Sequence, residues 1–136
     1  MGLNEEILSN LVITKIHSIS TMYTEKKTGS RRENRPLWAF VVKYEGETRY
    51  VSGGKEYVSN INNIAVLPKG CTYDWRCVTS GHFSIIEFEC DASFHDIFSF
   101  NVKNGEIYLK IIKKMEIERA VKKSACRLDE FKNLYG

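Results

Sequence analysis

No run of eighteen apolar residues occurs in the 136-residue chain, so no helix able to cross a membrane is expected. The N-terminus, MGLNEEILSNLVI, carries acidic residues where a secretory signal needs basic ones, so the expected location is the cytoplasm. The four cysteines, Cys71, Cys77, Cys90 and Cys126, form no C-x-x-C pair, and in that compartment they are expected to be reduced and structural rather than zinc-bound. Histidine is scarce: His17, His82 and His95 are spread along the chain and fall in no H-x-H, H-E-x-x-H or H-x-x-E-H motif. There is no G-x-S-x-G, and no glycine-rich loop follows a strand and opens a helix. SGGK at 52–55 sits in a turn between two strands, which is the wrong context for a phosphate cradle. Glu87 and Glu89 share a strand face, an arrangement more typical of solvated carboxylates than of an acid–base pair.

The formal net charge, +3, is too small to indicate a partner. Its distribution is uneven. Residues 1–102 hold 11 basic and 12 acidic side chains, and residues 103–136 hold 9 and 5. The basic stretch KKTGSRRENR lacks interleaved aromatics on which bases could stack, and it reads as part of a solvated loop over 24–35.

What the chain does have is short apolar runs separated by turn residues. LVITKIHSIS (11–20) is rich in β-branched residues. PLWAFVVKY (36–44) places Trp38, Phe40, Val42 and Tyr44 on one face at period two. EGET and then RYVS predict a hairpin with that strand, GG precedes a strand at KEYVS (55–59), and NINN precedes IAVL (64–67). HFSIIEFEC (82–90) is the last clear strand. About seven strands with regular turn signals predict an antiparallel sandwich or barrel. After residue 104 the period changes. Tyr108, Ile111, Ile112 and Met115 fall at helical spacing, and beyond a candidate cap at Ser124 so do Leu128, Phe131 and Tyr135. The second stripe runs to the last residue without a stop signal, which suggests a fragment of a longer protein.

AVLPKGCTYDW (65–75) is the most informative stretch. Leu67 precedes a proline and should be extended, Pro68 has no N–H, and Gly70 can take a positive φ. A strand therefore stops, turns, and restarts with Tyr73 and Trp75 on one face, either to fill a core or to hold a ligand.

Taken in order, Arg35, Gly46, GKEY (54–57), Pro68-x-Gly70 with Tyr73, and the Phe88 that closes IIEF resemble the N-terminal sensor domain of AraC-type transcription regulators. The resemblance covers roughly 11–136. It implies a mainly β fold with C-terminal helices: a cupin-like antiparallel β-barrel of jelly-roll type over 1–102, followed by a helical dimerisation and linker segment over 103–136. It also implies that DNA is contacted only by a helix-turn-helix part beyond this chain. Tyr73 stands where metal-dependent cupins have a histidine, so the resemblance implies a metal-free barrel with no cofactor. The implied ligand contacts are Arg35 and Trp75, with Trp38, Tyr73, Phe83 and Ile85 beside them. Phe83 and Ile85 replace polar or aromatic residues of the sugar-binding relatives, which favours a more apolar effector than a sugar. The implied homodimer would use Tyr108, Ile111, Ile112, Met115, Leu128, Phe131 and Tyr135. Three alternatives stand beside this, one of them a carbohydrate- or protein-binding β-module without a regulatory role. A small cupin enzyme, a metal-dependent isomerase or dioxygenase, would need a metal site built from His17, His82, Glu87 or His95. A self-filled barrel would use Trp38, Phe40, Tyr50 and Tyr57 as core and Arg35 as an ordinary salt bridge.

Overall fold

The computed structural model describes residues 12–92 and 95–102. They form nine strands: β1 (Ile13–Thr24), β2 (Gly29–Arg32), β3 (Trp38–Lys43), β4 (Glu47–Ser52), β5 (Lys55–Ser59), β6 (Asn63–Leu67), β7 (Tyr73–Thr79), β8 (Gly81–Cys90) and β9 (Phe98–Asn101). Every pairing is antiparallel. A five-stranded sheet has the order β1-β8-β3-β6-β9 and a four-stranded sheet the order β2-β7-β4-β5. Among the first eight strands the pairs are nested, β1 with β8, β2 with β7, β3 with β6 and β4 with β5, which is the topology of a jelly roll. The mainly β, cupin-like expectation therefore holds. The predicted helices, with Tyr108, Ile111, Ile112, Met115, Leu128, Phe131 and Tyr135, lie outside the described residues.

Three local expectations are corrected. The predicted hairpin between 36–44 and 49–52 does not form, because β3 and β4 belong to opposite sheets. The chain changes sheets at Gly46 (φ +78°), where a Cβ would run into the carbonyls of Thr79 and Ser80. Across the same corner a Cβ on Gly81 would overlap the Glu45 carbonyl, so two sheet-crossing corners touch only because both positions lack side chains. Second, the presumed loop 24–35 contains β2. Its residues, GSRR, are all exposed, and main-chain pairing with β7 holds them in place (Gly29 opposite Arg76, Arg32 opposite Tyr73). Third, β9 extends the larger sheet beside β6. The alternation read into 11–20 is also interrupted. Register shifts between Ile13 and Lys15 and between Ile16 and Ser18 bring Ile16 and Ile19, three apart, onto the same apolar cluster.

The larger sheet is buried on both faces, which is why β3 and β6 read as nearly unbroken apolar runs. One face carries Trp38, Val42, Ile64, Val66, Ile86, Phe88 and Phe98, with Phe40 partly buried beside them. The other carries Ala39, Val41, Ala65 and Leu67, and meets Tyr50 and Tyr73 of the smaller sheet. The period-two reading of Trp38, Phe40 and Val42 is therefore correct. Their face points away from the space between the sheets.

Candidate functional site

A cavity of about 170 Å3 lies between the two sheets. Alternation along each strand decides what reaches it. β3 contributes Val41 and Lys43, β4 Thr48 and Tyr50, β6 Leu67, β7 Tyr73 and Trp75, and β8 Phe83 and Ile85. Met22 and Thr24 of β1, Arg32 of β2 and Arg35 from the β2–β3 connection complete the lining. The shared face of Tyr73 and Trp75 therefore looks into a cavity. Of the six residues expected to contact a ligand, Arg35, Tyr73, Trp75, Phe83 and Ile85 are brought together. Trp38 is not: it is 2% exposed in the cluster on the opposite face of the sheet, with its ring 6.2 Å from that of Phe88.

The Pro68–Gly70 turn builds one end of the site. Gly70 has the positive φ its position required (+86°). Its N–H donates to the Arg35 carbonyl (2.8 Å), and the Arg35 N–H donates to the Cys71 carbonyl (3.0 Å). The turn that starts β7 thus clasps the backbone of the arginine it was expected to accompany. The Arg35 guanidinium donates to three acceptors: Nε to the Leu37 carbonyl (3.1 Å), Nη1 to the Tyr73 hydroxyl (3.0 Å) and Nη2 to Glu87 Oε2 (2.8 Å). Arg35 is buried while Glu87 is partly exposed, so the ion pair neutralises an otherwise isolated interior cation. Here the structural reading of Arg35 is realised. Each guanidinium nitrogen already has a protein acceptor, and the orienting of Tyr73 is its visible work.

Tyr50 and Tyr73 meet edge to face, with ring centroids 5.4 Å apart. Burial pushes both phenols above their ordinary range, so they stay protonated and able to donate at neutral pH. Cys71, behind them, is pushed up to about 11 by burial, which makes it an inert thiol.

Lys43 was missed from the sequence. At the end of VVK it resembles a lysine leaving a strand for solvent, yet it shares Val41's inward parity and is 2% exposed. Its Nζ sits 4.7 Å from the centroid of the Phe83 ring, directly across the ladder, and no carboxylate pairs with it among the described residues. Burial lowers its pKa, because desolvation penalises the ammonium. The cost of that buried charge is full where both folded and unfolded states hold the proton, and it is relieved as pH rises through and above the lowered folded-state pKa. The one signal that could have found it was strand parity combined with the burial of both neighbouring strands.

The residues a metalloenzyme would need are placed apart. His17 contacts Glu89 (2.9 Å), His82 contacts Glu45 (2.7 Å), and His95 contacts the Lys69 carbonyl (3.3 Å). Hydrogen bonds from His82 and His17 hold the Glu45 and Glu89 carboxyls below their usual range. Glu87 is engaged by Arg35. Among the described residues no group of three or more His, Cys, Asp or Glu side chains comes together to hold a metal. SGGK is the β4–β5 hairpin turn, with Gly53 and Gly54 both at positive φ. In the basic stretch, Arg31 pairs with Glu33 and Asp74 at the surface.

No family model matches the chain, and no curated protein matches it in sequence. Solved structures do match in fold. The chain superposes on an apo variant of ToxT from Vibrio cholerae with a TM-score of 0.56 at 8% identity, over 71% of this chain and 46% of that one. For ToxT bound to (E)-4-(8-methylnaphthalen-1-yl)but-3-enoic acid the values are 0.54 and 10%, over 72% and 48%. For unsaturated-fatty-acid-bound wild-type ToxT they are 0.52 and 9%, over 71% and 44%. A cupin-2 domain protein from Shewanella frigidimarina superposes less closely, at 0.46 and 12% over 65% and 94%. The chain thus spans less than half the length of the ToxT chains it matches. ToxT is an AraC-family regulator and the likeness is to its N-terminal domain, so the mainly β, cupin-like part of the fold implied by the sequence resemblance is the part observed.

Proposed function

We propose that this chain is the effector-binding part of a transcription regulator, taking a small organic molecule between its two sheets. The observation that carries this reading is the cavity: Trp75, Phe83, Ile85, Val41 and Leu67 give it apolar walls, and Tyr50, Tyr73 and Lys43 add polar groups. The shared fold supports it, as do the two ToxT ligands, both acids with apolar bodies. The barrel would work in the cytoplasm without a metal, with Tyr73 in the role of an oriented hydroxyl. A ligand that binds one conformation better than another shifts their populations, and through a dimer that shift reaches a DNA-binding part lying outside these residues. The dimer contacts are assigned to Tyr108, Ile111, Ile112 and Met115, with Leu128, Phe131 and Tyr135 behind them.

Ligand binding is tested by thermal shift against sugars, sugar acids, aromatic acids and fatty acids. A bound ligand at about 100 times its Kd adds ~2.7 kcal/mol, a shift of several degrees. A Trp38→Phe variant leaves Trp75 as the only indole, so its emission reports on the cavity. Hits should disappear in Trp75→Ala. A panel that moves neither the melting temperature nor the Trp75 emission overturns the reading. Separately, Ile112→Glu should convert a dimer to monomers by light scattering, and a persistent dimer would refute the interface assignment.

A further inference from the structure

We infer that the cavity takes a compact monocarboxylate, with its carboxylate held by the Lys43 ammonium and its apolar body against Phe83 and Trp75. This rests on the effector-binding reading above and narrows its ligand to one chemical class.

The charge distribution points there first. Three cationic side chains, Arg32, Arg35 and Lys43, line the cavity, and no carboxylate does. The charge of Arg35 is met by Glu87, and Arg32 lies on the exposed strand β2. Lys43 is the interior cation without a counter-charge among the described residues. A lysine that is 2% exposed, with its ammonium over an aromatic ring, carries a desolvation cost that a cation–π contact offsets in small part. A methionine would fill the same space without that cost. A carboxylate brought by a ligand would supply the missing partner and turn the penalty into a charge-assisted hydrogen bond. Thr48 and Tyr50 on β4, in the opposite sheet, add hydroxyl-bearing side chains to the facing wall. Tyr50 stays a donor because burial raises its pKa.

Volume then selects within the acids. About 170 Å3 is close to the roughly 150 Å3 cavity that admits benzene, and below the ~300 Å3 where drug-sized pockets begin. One ring, or a chain of a few carbons, fits beside the carboxylate. With a single unpaired interior cation, a monoanion matches and a dianion leaves one charge uncovered.

The experiment compares benzoate, phenylacetate and 3-phenylpropionate with their uncharged amides on the full 136-residue chain. It reads Trp75 emission in the Trp38→Phe background, with thermal shift alongside. At least one acid should bind about tenfold or more tightly than its amide, the discrimination expected of a charge-assisted hydrogen bond. Lys43→Met should erase that preference while melting at the same temperature as the parent or higher. The acid-to-amide ratio needs no variant, so it decides the question even if Lys43→Met does not fold. Equal binding of acid and amide, an acid preference that survives Lys43→Met, or tighter binding of a sixteen-carbon acid than of all three probes would overturn the inference. Binding of an amide or a neutral sugar without dependence on Lys43 would do so while leaving the effector-binding reading standing. If acids, amides and sugars all leave Trp75 and the melting temperature unchanged, both fall.

Discussion

Glu87→Gln is expected to lower the stability of the barrel by about 2–4 kcal/mol in urea unfolding, with an unchanged m-value. The substitution keeps the shape and an acceptor oxygen but removes the charge that faces the Arg35 guanidinium at 2.8 Å. Arg35 is 5% exposed and cannot turn to water, so the loss leaves an uncompensated interior cation. The figure is set somewhat below the ~3–5 kcal/mol of a fully buried pair because the Glu87 side chain is 29% exposed, and water already screens part of the interaction. Replacing both partners with apolar residues, Arg35→Met with Glu87→Leu, should recover most of the loss, because no charge is then stranded. The outcome bears on function as well as stability. If Glu87→Gln changes stability by less than about 0.5 kcal/mol, the guanidinium has another route to compensation. Arg35 would then be available to a ligand, and the assignment of the anion to Lys43 would lose its main competitor-based support.

How much of this was legible in the sequence depended on whether the deciding interaction was local. The turn at Pro68–Gly70 was legible because proline and glycine fix backbone geometry by their own covalent structure, and Gly70 took the positive φ required of it. Alternation was legible for the same reason. Trp38, Phe40 and Val42 share a face, as do Tyr73 and Trp75, because successive strand side chains point to opposite sides whatever the rest of the chain does. Strand pairing was not. A turn between 36–44 and 49–52 looks like a hairpin locally. Only the closure of two sheets, with the 46 and 81 corners in contact, sends β3 to β8 and β6 instead. β2 was illegible because GSRR buries nothing and is held by main-chain hydrogen bonds to β7, which any sequence can make.

The site divides along the same line. Five of its residues followed from the turn, the alternation and the family pattern. Lys43 did not, since a lysine's ordinary place is at the surface and its burial comes from the sheet packed opposite. Trp38 was assigned to the ligand through its residue type. The sequence shows which residues share a face but not which face of a doubly buried strand looks into the cavity.

Trp38→Ala and Trp75→Ala should therefore behave oppositely, although both remove an indole. Trp38 is 2% exposed and packs with Phe88, itself 0% exposed, on the far face of the larger sheet, so truncating it leaves a cavity there. The expected cost is about 3–5 kcal/mol, among the largest available from a single substitution in this barrel. Trp75 is half-buried and borders a space that is already open, so its removal creates little new void and should cost no more than about 1 kcal/mol. The functional effects reverse. Trp38→Ala should leave the acid-to-amide preference intact at temperatures where the variant stays folded, because its ring does not reach the cavity. Trp75→Ala should weaken every ligand, charged or not, because it removes the flat wall rather than the charge. Unfolding curves paired with binding isotherms on the two variants check both halves together. A Trp38→Ala protein that is stable but no longer binds would place the ligand on the opposite face of the sheet. A Trp75→Ala protein that binds normally would leave the cavity between the sheets without a role in recognition.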